Sequence, residues 1–375
     1  MPCLRVVVCC VICTAVSACG GKNEVSDPIG LVLAGGGSKG AYEVGVWQEL
    51  QAAGLSQHVT VISGTSVGAL NASLIATKPD AVERIWLESM NDVFVINTNA
   101  VGEVLQSVVD AASNSVDIAK GTGDRGKAWG NFILSTLVQV ASNYVEATET
   151  ESLSKGYMDS SKLEDAIKKN VPKEWPLGAP VVYATALEKG AGKTSKTWRL
   201  NIEDYERRVL MLRASAAIPG AFDAVKIDGR VYIDGGWEQR GGDNVPLKPI
   251  IDNHPDVKNV IIVYLDDKGH FRAARREKNR ELAAATGVRL VEIIPSENIN
   301  GAFGIGGAFN ASPDTARRLI ELGRKDAESV LKKEGLWQKA DSNLTSRIPG
   351  KKKLLVGRKS EGDDSEQMID QGGNK

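Results

Sequence analysis

The sequence predicts an α/β fold, a mainly parallel central sheet packed by helices and carrying a helical insertion at residues 100–175. Three observations carry this expectation. From Ile29 onward, short apolar runs bounded by glycines alternate with helical patterns, the signature of parallel strands joined by right-handed crossovers. The stretch 100–175 shows helical spacing with no strand-like alternation. Finally, 42% of the 375 residues are apolar, enough for a sizeable core, and the 39 glycines exceed a usual share of about 7%, which foretells tight turns and close backbone approaches.

The chain opens with Arg5 and the apolar run Val6–Val16, about the length of a signal-peptide core and too short to span a bilayer. It closes on Val16-Ser17-Ala18-Cys19, which resembles a bacterial lipobox. Residues 1–18 are therefore expected to be a signal peptide, Cys19 a lipidated mature N-terminus, and 19–28 a polar tether. An ordinary secretory cut near Ala18 is the alternative; either route takes the protein to the cell envelope or beyond. All five cysteines lie in the first nineteen residues, so the rest of the chain has no cysteine nucleophile, intrachain disulfide or structural Cys zinc site. Lys plus Arg is 46 and Asp plus Glu is 47, a net charge of −1 that argues against a nucleic-acid partner.

Ile29–Ala34 reads as a buried strand, Tyr42–Ala53 as a helix, Val59–Ile62 as a second strand and Val67–Ala76 as a small-residue helix close to the sheet. Within the insertion, Val101, Val104, Leu105, Val108 and Ala112, then Phe132, Ile133, Leu137, Ala141 and Tyr144, follow helical spacing. Strands return at Val181–Leu187 and Lys196–Leu200, and Asp228-Gly229 inside Ala224–Ile233 signals a hairpin. Val257–Leu265 and Arg289–Ile294 are strands separated by a basic helix over Arg272–Thr286, and Pro313–Gly335 is a closing helix. Residues 29–335 thus form one domain, and 336–375 a polar tail expected to be disordered.

Three motifs carry chemistry. Gly64-Thr65-Ser66-Val67-Gly68 matches G-x-S-x-G, weak alone but placed where a strand must reverse into a helix, which would expose Ser66 above a helix N-terminus. Gly35-Gly36-Gly37-Ser38-Lys39-Gly40 follows a strand and opens a helix, so its amides can face an anion. The run also spells G-x-G-x-x-G, but the acidic residue that a dinucleotide ribose needs is missing after the second strand; the other reading is an oxyanion hole. Asp234-Gly235-Gly236 puts a carboxylate at a strand end. The glycine–lysine runs at 121–127 and 190–194 lack the features of a phosphate-binding loop and read as solvated loops.

Together these motifs, with Ala214-Ser215-Ala216-Ala217-Ile218-Pro219-Gly220-Ala221-Phe222, Asn244-Val245-Pro246 and Gly323-Arg324-Lys325-Asp326-Ala327, resemble the patatin-like phospholipases from about Ile29 to Ala327. Lys39 stands where arginine is usual, and the Trp237–Asp243 spacer is long for the family. The resemblance implies a three-layer α/β/α fold, Ser66 as nucleophile, Asp234 as its base, the Gly35, Gly36 and Gly37 amides as oxyanion hole, and Lys39, Gly40, Gly64, Gly68, Gly235 and Gly236 as motif positions. It implies a serine lipid acyl hydrolase acting on carboxylic esters of phospholipids or related lipids. Acyl transfer, or an inert lipid-binding lipoprotein, is the rival. The order Ser66, Asp234, then His254 or His270 also suits a histidine triad, although His58, His254 and His270 read as non-catalytic. The expected partners are an acyl-lipid substrate and a membrane surface reached through the N-terminal lipid. No cofactor or metal is expected.

Overall fold

Strand β1 (Ile29–Leu33) buries all five of its residues, and β7 (Asn259–Val263) buries four, because each lies mid-sheet with both faces covered. The computed structural model describes residues 27–94, 156, 158–190, 194–266, 270–299 and 311–337. The signal segment, Cys19, insertion residues 100–155, the run at 121–127 and the tail from 338 lie outside the described residues.

Strands β1, β2 (Val59–Thr65), β3 (Val181–Glu188), β7 and β8 (Arg289–Ile293) run parallel in the order β3-β2-β1-β7-β8. Three antiparallel strands complete the sheet: β4 (Ser195–Arg199) and β6 (Arg230–Asp234) pair with β3, and β5 (Val225–Ile227) pairs with β6. The β5–β6 turn has Asp228 at φ 49° and Gly229 at φ 80°, the two left-handed residues that an Asp-Gly hairpin requires.

Helices α1 (Ala41–Ala52), α2 (Val67–Thr77), α3 (Val82–Ser89), α4 (Ser160–Asn170), α5 (Tyr205–Ser215) and α8 (Pro313–Lys333) form one packed group. Helices α6 (Lys248–Asn253) and α7 (His270–Thr286) form another, and both groups meet the sheet in an α/β/α arrangement. Helix α8 buries Ala316, Leu319, Ile320, Gly323, Ala327 and Leu331, a helical stripe. Its closest approach to α1 is main chain against main chain. A Cβ on Gly45 would strike the Ile320 carbonyl, and one on Gly323 the Tyr42 carbonyl. Tyr42 also donates to Asp326 at 2.9 Å.

Three helices lie where the sequence pattern assigns none: α3, α5 and α6. In α5 the Asp204 side chain caps the first turn by accepting from the Arg207 amide, and the helix buries Val209, Met211 and Leu212 among charged neighbours, so its apolar pattern is short. His270, expected in a loop, starts α7. Leu336 and Trp337, expected in the disordered tail, belong to the body: both pack against the core, and Trp337 Nε1 donates to Glu49.

Candidate active site

Strand β3 organises the site because three strands share it. Ala186 pairs with Lys196 of β4 and with Asp234 of β6, while Thr185 pairs with Thr65 of β2 and Thr197 of β4. A strand has two edges and β4 occupies one, so β2 and β6 lie along the other. They run toward each other and stop opposite consecutive residues. Asp234 stands at a strand's carboxyl end, as the sequence leads one to expect. That strand is antiparallel, however, and its five residues bring its last one down to the point where β2 ends. A Cβ on Gly235 would lie 3.0 Å from Thr65 Cγ2, in keeping with the head-to-head junction.

Ser66 follows Thr65 directly, as the N-cap of α2, with φ 57° and ψ −127°. Such a backbone costs a non-glycine residue on the order of 1–3 kcal/mol and marks the sharp strand-to-helix reversal. The flanking glycines supply room rather than freedom. A Cβ on Gly64 would strike the Gly68 main chain, and a Cβ on Gly68 would strike the Leu33 carbonyl. Ser66 is only 4% exposed.

Asp234 is 6% exposed. Its Oδ1 accepts the Gly236 amide at 2.7 Å, and its Oδ2 is buried without a properly formed hydrogen bond among the described residues. Burial pushes its pKa from the ordinary value up to about 6, opposed by the nearby Ser66 hydroxyl and by the Gly236 amide. The hydroxyl is thus near enough to favour the carboxylate, though not aligned as a full hydrogen bond.

The glycine loop lies beside both residues. The Gly35 amide, one of three expected oxyanion donors, is committed to the Asn244 carbonyl at 3.1 Å, which leaves the amides of Gly36 and Gly37 for that role. Gly37 has φ 59°. Lys39 turns away and ties the loop to the exit of β7, donating to the Leu265 carbonyl at 3.0 Å and to Asp266 at 3.2 Å. Gly40 leads into α1, packed under Val67 and Trp86. Beneath the loop, Asn71 donates to the Gly40 carbonyl and to Glu43, and accepts from Trp86 Nε1 at 2.8 Å. Full burial raises the Glu43 pKa well above the usual carboxylate range, and the hydrogen bond from Asn71 opposes that rise.

The long spacer after Asp234 is pinned by one cation. Arg275 on α7 donates to Glu238 at 2.5 Å and to the Gly242 carbonyl at 3.3 Å, and pairs with Asp243 at 3.2 Å. An apolar void of about 20 Å³ opens at Ser66 and Gly37. A second of the same volume shares Leu70, Met90, Val93 and Leu163 with it and reaches Leu74 and Ile167. His254 lies elsewhere, bonded to the Tyr183 hydroxyl at 3.2 Å, on the amino-terminal half of β3.

The model of the patatin-like phospholipase family matches residues 31–255, which is more than half of the chain and includes Ser66, Asp234 and the glycine loop. The chain belongs to that family. Over 54 residues it is 46% identical to a lysophospholipase of Aspergillus terreus, a stretch that is 14% of this chain and 3% of the relative. Over 56 residues it is 48% identical to a patatin-like phospholipase domain-containing protein of Caenorhabditis elegans, 15% of this chain and 4% of the relative. It therefore spans only a small part of these relatives' length. Among solved structures, VipD from Legionella pneumophila is 14% identical with a TM-score of 0.39, covering 82% of this chain and 67% of that one. Human GIVD cytosolic phospholipase A2 is 9% identical with a TM-score of 0.42, covering 83% of this chain and 60% of that one. In this patatin-like chain the residues that pattern reasoning passes over are Asn71, Ser215 and Arg275. Ser215 sits inside a family-like stretch without a role of its own, while Asn71 and Arg275 carry no local signal.

Proposed function

We propose that this chain is a serine lipid acyl hydrolase that cleaves carboxylic esters of phospholipids or related lipids through a Ser66–Asp234 dyad. The observation that carries the reading is the buried, unsatisfied Asp234 Oδ2 at the junction where Ser66 follows β2. Asp234 takes the Ser66 proton as Oγ attacks the ester carbonyl. The Gly36 and Gly37 amides receive the developing oxyanion, where an aligned donor in a dry site lowers the barrier. Collapse expels the alcohol, protonated by Asp234, and leaves an acyl-enzyme; water activated by the same carboxylate then releases the acid. The apolar void at Ser66 suits an acyl chain. Side chains must give way to admit one, since about 20 Å³ holds little more than a water molecule. Met90, unbranched and flexible, is suited to that adjustment.

A fluorophosphonate probe tests the reading: it should label wild-type protein at Ser66 and leave Ser66→Ala unlabelled. Wild-type protein that resists the probe and hydrolyses no ester would overturn it. Membrane attachment through lipidated Cys19 belongs to the same proposal and rests on Val16-Ser17-Ala18-Cys19 alone. Cys19→Ser should then abolish incorporation of a fatty-acid analogue.

A further inference from the structure

Ser215 has no step in the chemistry above, yet its side chain is fully buried and doubly engaged. Its Oγ accepts the main-chain N–H of Ser66 at 2.8 Å and donates to the Thr185 carbonyl at 2.6 Å. Two residues further on, the Ala217 carbonyl accepts the main-chain N–H of Asp234 at 2.9 Å. One short stretch, from the last residue of α5 to Ala217, therefore holds the backbone amides of both nucleophile and base.

Resting on the hydrolase reading, we propose that Ser215 is a positioning residue: with the Ala217 carbonyl it brackets Ser66 against Asp234 and holds the strained elbow in its reactive geometry. The argument is one of buried donors. The Ser66 amide sits in a residue with φ 57° and 4% exposure, so it needs a protein acceptor. Serine is the smallest side chain that can accept this amide while donating to Thr185. Without it, the peptide joining Thr65 to Ser66 can rotate to find another partner. That rotation swings Oγ away from Asp234, whose own amide stays held at Ala217. A displacement of about 1 Å at reacting atoms can cost roughly 100-fold in rate.

The test compares wild type, Ser215→Ala and Ser215→Cys by the rate of fluorophosphonate labelling and by turnover of a soluble short-chain ester. Ser215→Ala should label and turn over roughly 10- to 100-fold more slowly. Its KM should stay near the wild-type value, and the acid limb of its pH profile should move to higher pH, because the Ser66 hydroxyl that favours the Asp234 carboxylate has swung away. Ser215→Cys, with a weak sulfur acceptor, should fall between the two. A purely structural role would lower the melting temperature and leave the rate per folded molecule intact. Folded Ser215→Ala that labels at the wild-type rate overturns the bracket. If Ser215→Ala does not fold, wild-type labelling by Ser215→Cys overturns it equally. Wild-type protein inert to the probe would instead overturn the hydrolase reading.

Discussion

Asn244 and Gly35 hold each other by two hydrogen bonds: the Gly35 amide donates to the Asn244 carbonyl at 3.1 Å, and Asn244 Nδ2 donates to the Gly35 carbonyl at 3.2 Å. The glycine loop is thereby fixed to the segment that follows the aspartate loop. Asn244 Oδ1 and Asp234 Oδ1 lie 2.6 and 2.9 Å from the point where a Cβ on Gly236 would stand. The two oxygens are thus less than about 6 Å apart, close enough for a second charge to be felt.

That proximity makes Asn244 a test of both loops. Asn244→Asp places a carboxylate beside Asp234, which should push the Asp234 pKa further up and move the acid limb of activity to higher pH by on the order of one unit. Asn244→Ala loosens the glycine loop without adding charge. It should lower kcat with the limb unmoved. pH–rate profiles on a soluble ester separate the two, and an unmoved limb in Asn244→Asp would refute the geometry.

In the proposed dyad, Asp234 must be ionised to accept the Ser66 proton. With its pKa held at about 6, kcat/KM should rise with pH through that value and level off above it. Ser66→Ala and Asp234→Asn should each abolish ester hydrolysis, and the double variant should lose little more, since the pair acts as a unit. His254→Ala should leave the limb where it was. Burial lowers the His254 pKa, and its ring nitrogen faces the Tyr183 hydroxyl rather than Ser66. A limb that vanished with His254 would assign the base to histidine.

The central strands and the motifs of the candidate site were legible because each leaves a local signature. Five buried apolar residues at β1 announce a covered strand, and glycines flanking Ser66 announce a tight reversal. The reciprocal direction of β6 was not legible. Nothing in Arg230–Asp234 says that the strand pairs antiparallel with β3 or that it ends one residue along β3 from the partner of Thr65. The commitment of the Gly35 amide to Asn244 was equally hidden, because the partners are far apart in sequence and the bond depends on the folded loop. Helix α5 escaped detection because its buried residues are interleaved with Arg207, Arg208 and Arg213. Arg208 lies buried among carbonyls and stacks on Trp175, a tertiary solution that hydropathy does not register.

The apolar voids beyond Ser66 should set chain-length preference. Leu163 lines both voids, whereas Ile167 lines only the one further from Ser66. Leu163→Trp should therefore depress hydrolysis of medium- and long-chain esters, while Ile167→Trp should spare the medium ones. Both should keep activity on an acetyl ester, whose acyl group does not extend past Val67 and Leu70. Rates on a series of p-nitrophenyl esters give the answer. Parallel loss at every chain length would show instead that the tryptophans disturb the catalytic residues.

Stability offers an independent measure of Asp234. Its pKa rises from an unfolded value of 3.8 to about 6 when the protein folds, so the folded state binds the proton more tightly. The stability that this group contributes is complete below about pH 4 and is lost as pH climbs through 6. The difference in pKa corresponds to about 3 kcal/mol lost by the time the carboxylate is fully ionised. Asparagine does not titrate, so Asp234→Asn should gain on wild type by a similar amount between about pH 4 and pH 8. Any fixed cost of placing a carboxamide beside Ser66 cancels in that comparison. Chemical denaturation of both proteins at the two pH values measures it. An advantage of the variant that grows with pH, in a protein that has lost its activity, is what a base held in a dry site requires. An advantage that does not change with pH would mean that Asp234 is solvated in the folded state and too weak a base to activate Ser66.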